Sequence, residues 1–237
     1  MLIYRKLKGA NKKKYAKFEK KMENFMLCPN CDCNLCPRLA DFRNNNQKQF
    51  PHYFNAPVPS FGSIDAEILV VGMAPGLNGA NQTGRPFTND YAGDILYPAL
   101  QKYGFATGCY DRRSDDGFQL VNARVTNAVR CVPPQNKVIA AEVNNCRTFL
   151  QNEISAMPNL KIILTLGVVA HNAVLAALKY KKSDYKFSHG AVHILSADNL
   201  ILFNSYHTSR YNINTGVLSA DMFEQVIKNI RERLNVL

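Results

Sequence analysis

Residues 68–94 read ILVVGMAPGLNGANQTGRPFTNDYAGD. Ile68-Leu69-Val70-Val71 is a short apolar run ending in glycine, the pattern of a strand buried on both faces. The chain then breaks into a loop carrying Gly72, Gly76, Gly79 and Gly84 among Asn and Thr residues. Pro75 fixes the turn, and a helix can start near Ala92. An apolar strand that feeds a glycine-rich loop is how an α/β protein places a site at the carboxyl edge of its sheet. The loop also holds one aromatic, Phe87, and one carboxylate, Asp90, just before the helix. Taken alone, the glycines are equally compatible with a long surface turn.

Outward from this stretch, apolar runs alternate with helical patterns. Strands are expected near 67–73, 121–129, 160–166 and 200–205, with helices near 92–103, 140–155, 168–179 and 219–235, the last capped by Ser219. Residues 37–66, with Pro51, Pro57 and Pro59, read as an irregular segment wrapping the core, and 104–118 as an insertion. This alternation predicts an α/β fold, a parallel sheet with helices on both faces. Right-handed crossovers open all the strand ends on one edge. Asp90, Asn127 and His207 then converge on one pocket beside Phe87. That set suits a planar heterocycle: the ring stacks on Phe87, and the Asn127 amide reads a neighbouring donor and acceptor. His207 donates to an oxygen gaining charge, and Asp90 orients a water or stabilises a cation.

The 237 residues carry a net charge of +11, unevenly placed. Residues 1–21 hold nine Lys or Arg against Glu19, a net of +8, and the remainder holds 20 bases and 17 acids, a net of +3. A basic N-terminal arm over residues 1–27 on a mildly basic body over 28–237 suits a polyanion such as DNA. A solvated lysine-rich helix that aids solubility is the plainer reading. No apolar run reaches the roughly 18 residues of a membrane span, and no signal-peptide pattern is present, so the expectation is a cytoplasmic monomer without membrane contact.

There are seven cysteines. An odd number in a cytosolic setting argues against a disulfide framework. Cys28/Cys31 and Cys33/Cys36 each have the two-residue spacing that aims two thiolates at one metal, but the pairs lie too close together for a zinc ribbon. One pair with the remote Cys131 and Cys146 gives a pattern typical of iron–sulfur ligation. Zinc and buried free thiols are the alternatives.

Four blocks together resemble a known family: GMAPG followed by GRPFTND, VTNAVRCVPPQNK, HTSRYNINTG, and CxxCPRL at Cys33/Cys36 completed by Cys131 and Cys146. They are similar to the iron–sulfur branch of the uracil-DNA glycosylases, most of all to family 5. The resemblance implies a single-domain, three-layer α/β/α sandwich with a four-stranded parallel sheet. It also implies a [4Fe–4S] cluster on Cys33, Cys36, Cys131 and Cys146, and hydrolytic excision of uracil and related deaminated bases from DNA. The base must first leave the stack.

Carried over residue by residue, Phe87 stacks on the flipped base and Asn127 contacts it. His207 stabilises the departing anion, Asp90 positions water, and Gly72, Met73, Ala74, Pro75 and Gly76 line the pocket. Arg85, Lys137, Ser209, Arg210 and Tyr211 are the expected DNA contacts, the last two as candidates for insertion into the duplex. Three departures stand out. Met73 occupies a position that is acidic in family 4, leaving Asp90, with Asn78 and Asn81 as alternatives, to hold the water. Thr208 replaces the usual proline after the histidine, and Cys28/Cys31 is an extra pair that either substitutes for Cys33/Cys36 or faces solvent. The competing class is an iron–sulfur or zinc protein that grips nucleic acid without chemistry; it accounts for the charge and cysteines but not for the four polar and aromatic residues on one edge. A dinucleotide-binding reading is weaker, because GMAPG lacks the G-x-G-x-x-G spacing.

Overall fold

In a computed structural model, which describes residues 26–237, strand β1 (Ile68–Gly72) is fully buried at every position. Ile68 and Val70 point into one apolar cluster, Leu69 and Val71 into the other, as the two-residue period of a strand requires. β1 pairs in parallel with β4 (Ala123–Asn127) on one side and β5 (Ile162–Leu166) on the other. β5 pairs in parallel with β7 (Leu200–Ser205). Helices α3 (Tyr91–Lys102) and α7 (Ala220–Leu234) cover one face. Helices α4 (Ala140–Ala156) and α5 (Val168–Ala177) cover the other. The result is a three-layer sandwich. The arm expected over residues 1–27 lies, up to residue 25, outside the described residues.

Three features differ from the sequence reading. The sheet has five strands, ordered β4-β1-β5-β7-β6, because β6 (Val192–Leu195) adds an antiparallel edge to the four parallel strands. It is only four residues long, Val-His-Ile-Leu, and only Leu195 in it is buried. The insertion after α3 contains a small antiparallel pair, β2 (Ala106–Thr107) with β3 (Gln119–Leu120). The segment expected to be irregular holds a helix of thirteen residues, α1 (Pro37–Gln49), opened by a proline that suits a first helical turn. Its buried positions are Leu39, Arg43 and Asn46. They have helical spacing, but two of the three are polar, so no apolar stripe marks the helix. Two further short helices, α2 (Ala80–Thr83) and α6 (Arg210–Asn214), flank the carboxyl edge of the sheet.

One buried charge cluster joins the layers. Glu153 on α4 is wholly buried and accepts from Arg124 on β4 at 2.6 Å and from Arg130, beyond β4. Arg130 also donates to Ser60 Oγ at 2.6 Å. Burial would push the Glu153 carboxyl up, but the two guanidiniums override it and hold it below the ordinary range. Removing one partner of such a set leaves charge stranded in a dry interior. Glu153→Gln should therefore lower the unfolding free energy by roughly 3–5 kcal/mol in a urea titration. Because the folded pKa is depressed, the wild-type contribution is complete at neutral pH and is lost as pH falls through the folded pKa. The gap between wild type and variant should close in acid.

Candidate active site

The carboxyl ends of β1, β4, β5 and β7 open on one edge, where a cavity of about 500 Å³ lies. That size is ordinary for a small-molecule pocket. β1 supplies the segment from Met73 to Gly76, β4 supplies Asn127 and then Pro133 and Asn136, and the loop after β7 supplies His207, Ser209 and Arg210. Phe87 and Asp90 enter from the loop before α3.

Gly72 makes the convergence possible. A Cβ built there would lie 2.4 Å from Phe87 Cζ and 2.5 Å from Asn127 Oδ1. The strand must end on a residue without a side chain so that the ring and the amide can both lie over it. Asn127 is buried, and its Oδ1 has no hydrogen-bond partner. A buried acceptor left open is costly, and at a pocket wall it marks where a ligand donor belongs.

Phe87 sits in the left-handed region, at φ 50°, which costs a branched or bulky L-residue on the order of 1 kcal/mol. The brace around it holds that conformation. Tyr97 donates to the Pro86 carbonyl, and Tyr110 to the Phe87 carbonyl at 3.2 Å. Arg85 Nε donates to Thr88 Oγ1 at 2.7 Å. Gly93 on α3 lets the turn close, since a Cβ there would meet the Phe87 carbonyl oxygen at 1.7 Å. This corrects the assignment of Arg85 as a DNA contact. Its guanidinium is buried, paired with Asp116 through both carboxylate oxygens at 2.8 and 2.7 Å, and lies among Phe61, Tyr97, Tyr110 and Phe118. No phosphate can reach it without breaking that set.

Asp90 has two tasks. Oδ1 caps α3, accepting from the Gly93 amide at 2.9 Å, and the carboxylate packs against Gly79, whose Cβ would sit 2.8 Å from Oδ2. Burial pushes its pKa up, opposed by the cap. Across the pocket, His207 lies at 6.2 Å from Phe87, ring to ring, with planes 30° apart. Burial lowers its pKa to about 4, so at neutral pH the imidazole is uncharged and keeps one N–H donor. Asn78 and Asn81 are not at the pocket wall; Asn81 is buried and donates to Asn55 Oδ1 at 2.9 Å. Lys137 is exposed just beyond Asn136. Ser209 caps α6, and Tyr211 behind it is 74 % exposed. Sequence reading missed Tyr91 and the Gly167–Val169 wall after β5. The only sign of that wall was a glycine ending the strand.

Behind the rim, Cys131 and Cys146 are buried with Leu39 and Val129, and Cys36 packs against them. Burial pushes Cys131 up to about 12, with Cys146 and Cys33 adding to the rise and Arg43 opposing it. Burial likewise raises Cys146 to about 11, with Cys36 and Cys33 contributing in the same direction. Cys36, Cys131 and Cys146, whose ionisation burial resists, are thiols whose preference a bound cationic centre would reverse. Cys28 stands apart, its thiol toward the Pro57 carbonyl at 3.9 Å, and Cys31 is exposed. Among the described residues no three His, Cys, Asp or Glu side chains close on a single-ion position. Cys36, Cys131 and Cys146 do pack together where α1, the β4 exit and α4 meet.

The family model described as the uracil DNA glycosylase superfamily matches residues 59–231. A type-5 uracil-DNA glycosylase from Thermus thermophilus is 39% identical over 200 residues, covering 82% of this chain and 90% of that protein. One from Pyrobaculum aerophilum is 35% identical over 201 residues, covering 83% and 87%. A third, from Mycobacterium leprae, is 35% identical over 212 residues, covering 84% and 90%.

The clearance at Gly72 yields a structural test. Gly72→Ala should displace the Phe87 ring or the Asn127 amide by about 1 Å, the scale of misplacement that costs a site ~10²-fold in rate. A crystal structure of the variant would show the shift, and unmoved side chains would refute the clearance argument.

Proposed function

This chain belongs to the uracil DNA glycosylase superfamily, and from that premise we propose that it excises uracil from DNA by hydrolysing the N-glycosidic bond. The observation that carries the reading is the open Asn127 acceptor beside Phe87, with a neutral imidazole and a carboxylate on the same pocket. Uracil presents an N–H flanked by carbonyl oxygens on its pairing edge. The Asn127 oxygen accepts from that N–H while its NH₂ donates to a carbonyl, and Phe87 takes the ring face.

In the reaction the bond from the sugar carbon to the base nitrogen breaks, and its electron pair leaves with uracil as an anion. His207 donates a neutral N–H to the uracil oxygen that gains charge, the role of an oxyanion donor. The sugar left behind has cationic character, which the Asp90 carboxylate stabilises. Water then adds to the sugar carbon and releases a proton, for which Asp90 is the nearby acceptor. The uracil anion is protonated on release and Asp90 gives its proton back to solvent, so the products are free uracil and an abasic sugar. Exposed Tyr211 is suited to fill the gap in the stack, and Lys137 and Arg210 to meet phosphates.

Cys33, Cys36, Cys131 and Cys146 would hold a [4Fe–4S] cluster. When bound, it supplies cross-links between the three segments that carry its ligands. Pro133 and Asn136, two and five residues after Cys131, line the pocket, so the anchor would fix part of the rim. Cys28 and Cys31 are outside this set.

The direct test is a labelled duplex with one uracil opposite guanine, treated with alkali after incubation; a cut at the uracil position is expected, and an intact strand would overturn the reading. His207→Ala should lower the single-turnover rate by ~10²-fold. The pH dependence separates the two acid–base groups. With His207 neutral down to about 4, it contributes no limb near neutrality. Asp90, raised by burial, should impose an acid limb above the ordinary carboxylate range. Asp90→Asn should be slower by ~10²-fold or more and lack that limb.

A further inference from the structure

Arg43 is a charge that the proposed chemistry does not use. It lies on α1 and is only 5 % exposed, and among the described residues no carboxylate pairs with it. The other guanidiniums as deeply buried, Arg85 and Arg130, each hold a carboxylate. A guanidinium cannot shed its charge, so a buried one requires a nearby anion. The Arg43 fork instead meets cysteines. Nη1 donates to Cys131 Sγ at 3.9 Å, and Nη2 donates to the Cys33 carbonyl at 2.9 Å.

We propose that Arg43 is the fixed counter-cation of a net-anionic thiolate cluster and the strut between its two halves. The inference rests on the cluster reading above and deepens it. Four neutral thiols would leave this cation stranded. Four thiolates on an iron–sulfur core carry the net negative charge that it lacks among protein groups. One fork touches the near half at Cys33 and the remote half at Cys131. Asn145 forms the reciprocal tie. It precedes Cys146 on α4, and its amide donates to the Leu35 carbonyl at 2.6 Å and to Cys36 Sγ at 3.5 Å. Each half thus sends a donor to a sulfur of the other. Such bonds orient ligands and set how much negative charge the sulfurs carry.

The test uses the full-length protein purified without air, with iron and sulfide counted first. Arg43→Met removes charge and fork, Arg43→Lys keeps the charge alone, and Lys48→Met changes an exposed residue of the same helix. The rate of loss of visible cluster absorbance to a chelator should rise about 10–100-fold in Arg43→Met, less in Arg43→Lys, and not at all in Lys48→Met. The midpoint potential of the cluster should fall in Arg43→Met, because losing a nearby cation disfavours the reduced, more negative state, and stay near wild type in Arg43→Lys. Arg43 variants that match wild type in both loss rate and potential would overturn the proposal while leaving the cluster intact. Wild type without iron would overturn the cluster reading itself, even where the uracil assay succeeds. Should Arg43→Met not fold, wild-type loss kinetics in Arg43→Lys would still refute the strut.

Discussion

Four strands that run the same way must end on the same edge, and this chain uses that edge for nearly all its chemistry. The parallel pairing of β4, β1, β5 and β7 brings Asn127, Gly72, Leu166 and Ser205 to one level. Every loop that leaves the edge then starts from a buried, hydrogen-bonded strand, so its first residues inherit the rigidity of the sheet. Asn127 is itself the last residue of β4, opposite Gly72. Its amide is therefore placed by the ladder and not by a flexible loop. The open acceptor it carries is a cost borne at the best-ordered point of the fold.

The two buried polar centres on either side of the β4 exit follow opposite electrostatic rules. In the pocket, burial keeps His207 neutral at neutral pH and raises the Asp90 pKa against the pull of the helix cap. Under α1, burial alone would also keep the thiols neutral, yet the structure commits an unpaired guanidinium to them. Between the centres runs the Arg130–Glu153 salt bridge, with Arg124 on the same carboxylate and Arg130 Nε left without a partner. The segment from Asn127 to Asn136 passes through all three environments and returns to the pocket rim at Pro133 and Asn136.

The α/β alternation was legible because β1, β5 and the first four residues of β7 are largely apolar runs and the last covering helix, α7, has an apolar stripe of Phe223, Val226, Ile227, Ile230 and Leu234. The convergence of Phe87, Asp90, Asn127 and His207 followed from topology alone. What escaped was set by tertiary context. α1 buries Arg43 and Asn46 beside Leu39, so its buried side looks like a surface. β6 gains its place by pairing with β7, not by burying side chains. Arg85 reads as a surface base in the motif GRPF, and only the ring of aromatics with Asp116 shows that it is a brace. In both arginines the sequence carries the charge but not the partner, and the partner decides the role.

The loop after β7 shows how a missing proline can be offset. Proline would fix φ at the position after His207 without any partner, whereas Thr208 must be held by contacts. It is fully buried, and its hydroxyl donates to the Ala92 carbonyl at 3.3 Å. Asn212 Nδ2 donates to the His207 carbonyl at 2.8 Å, and the Tyr206 amide donates to His189 Nδ1 at 3.3 Å. His207 and its two neighbours are therefore tied to three separate places, α3, α6 and the loop before β6. One of those ties leads to α3 at Ala92, two residues beyond Asp90, so the loop bearing the imidazole and the helix capped by the carboxylate are joined directly. A proline would stiffen the loop but could not make that link, because it has no side-chain donor.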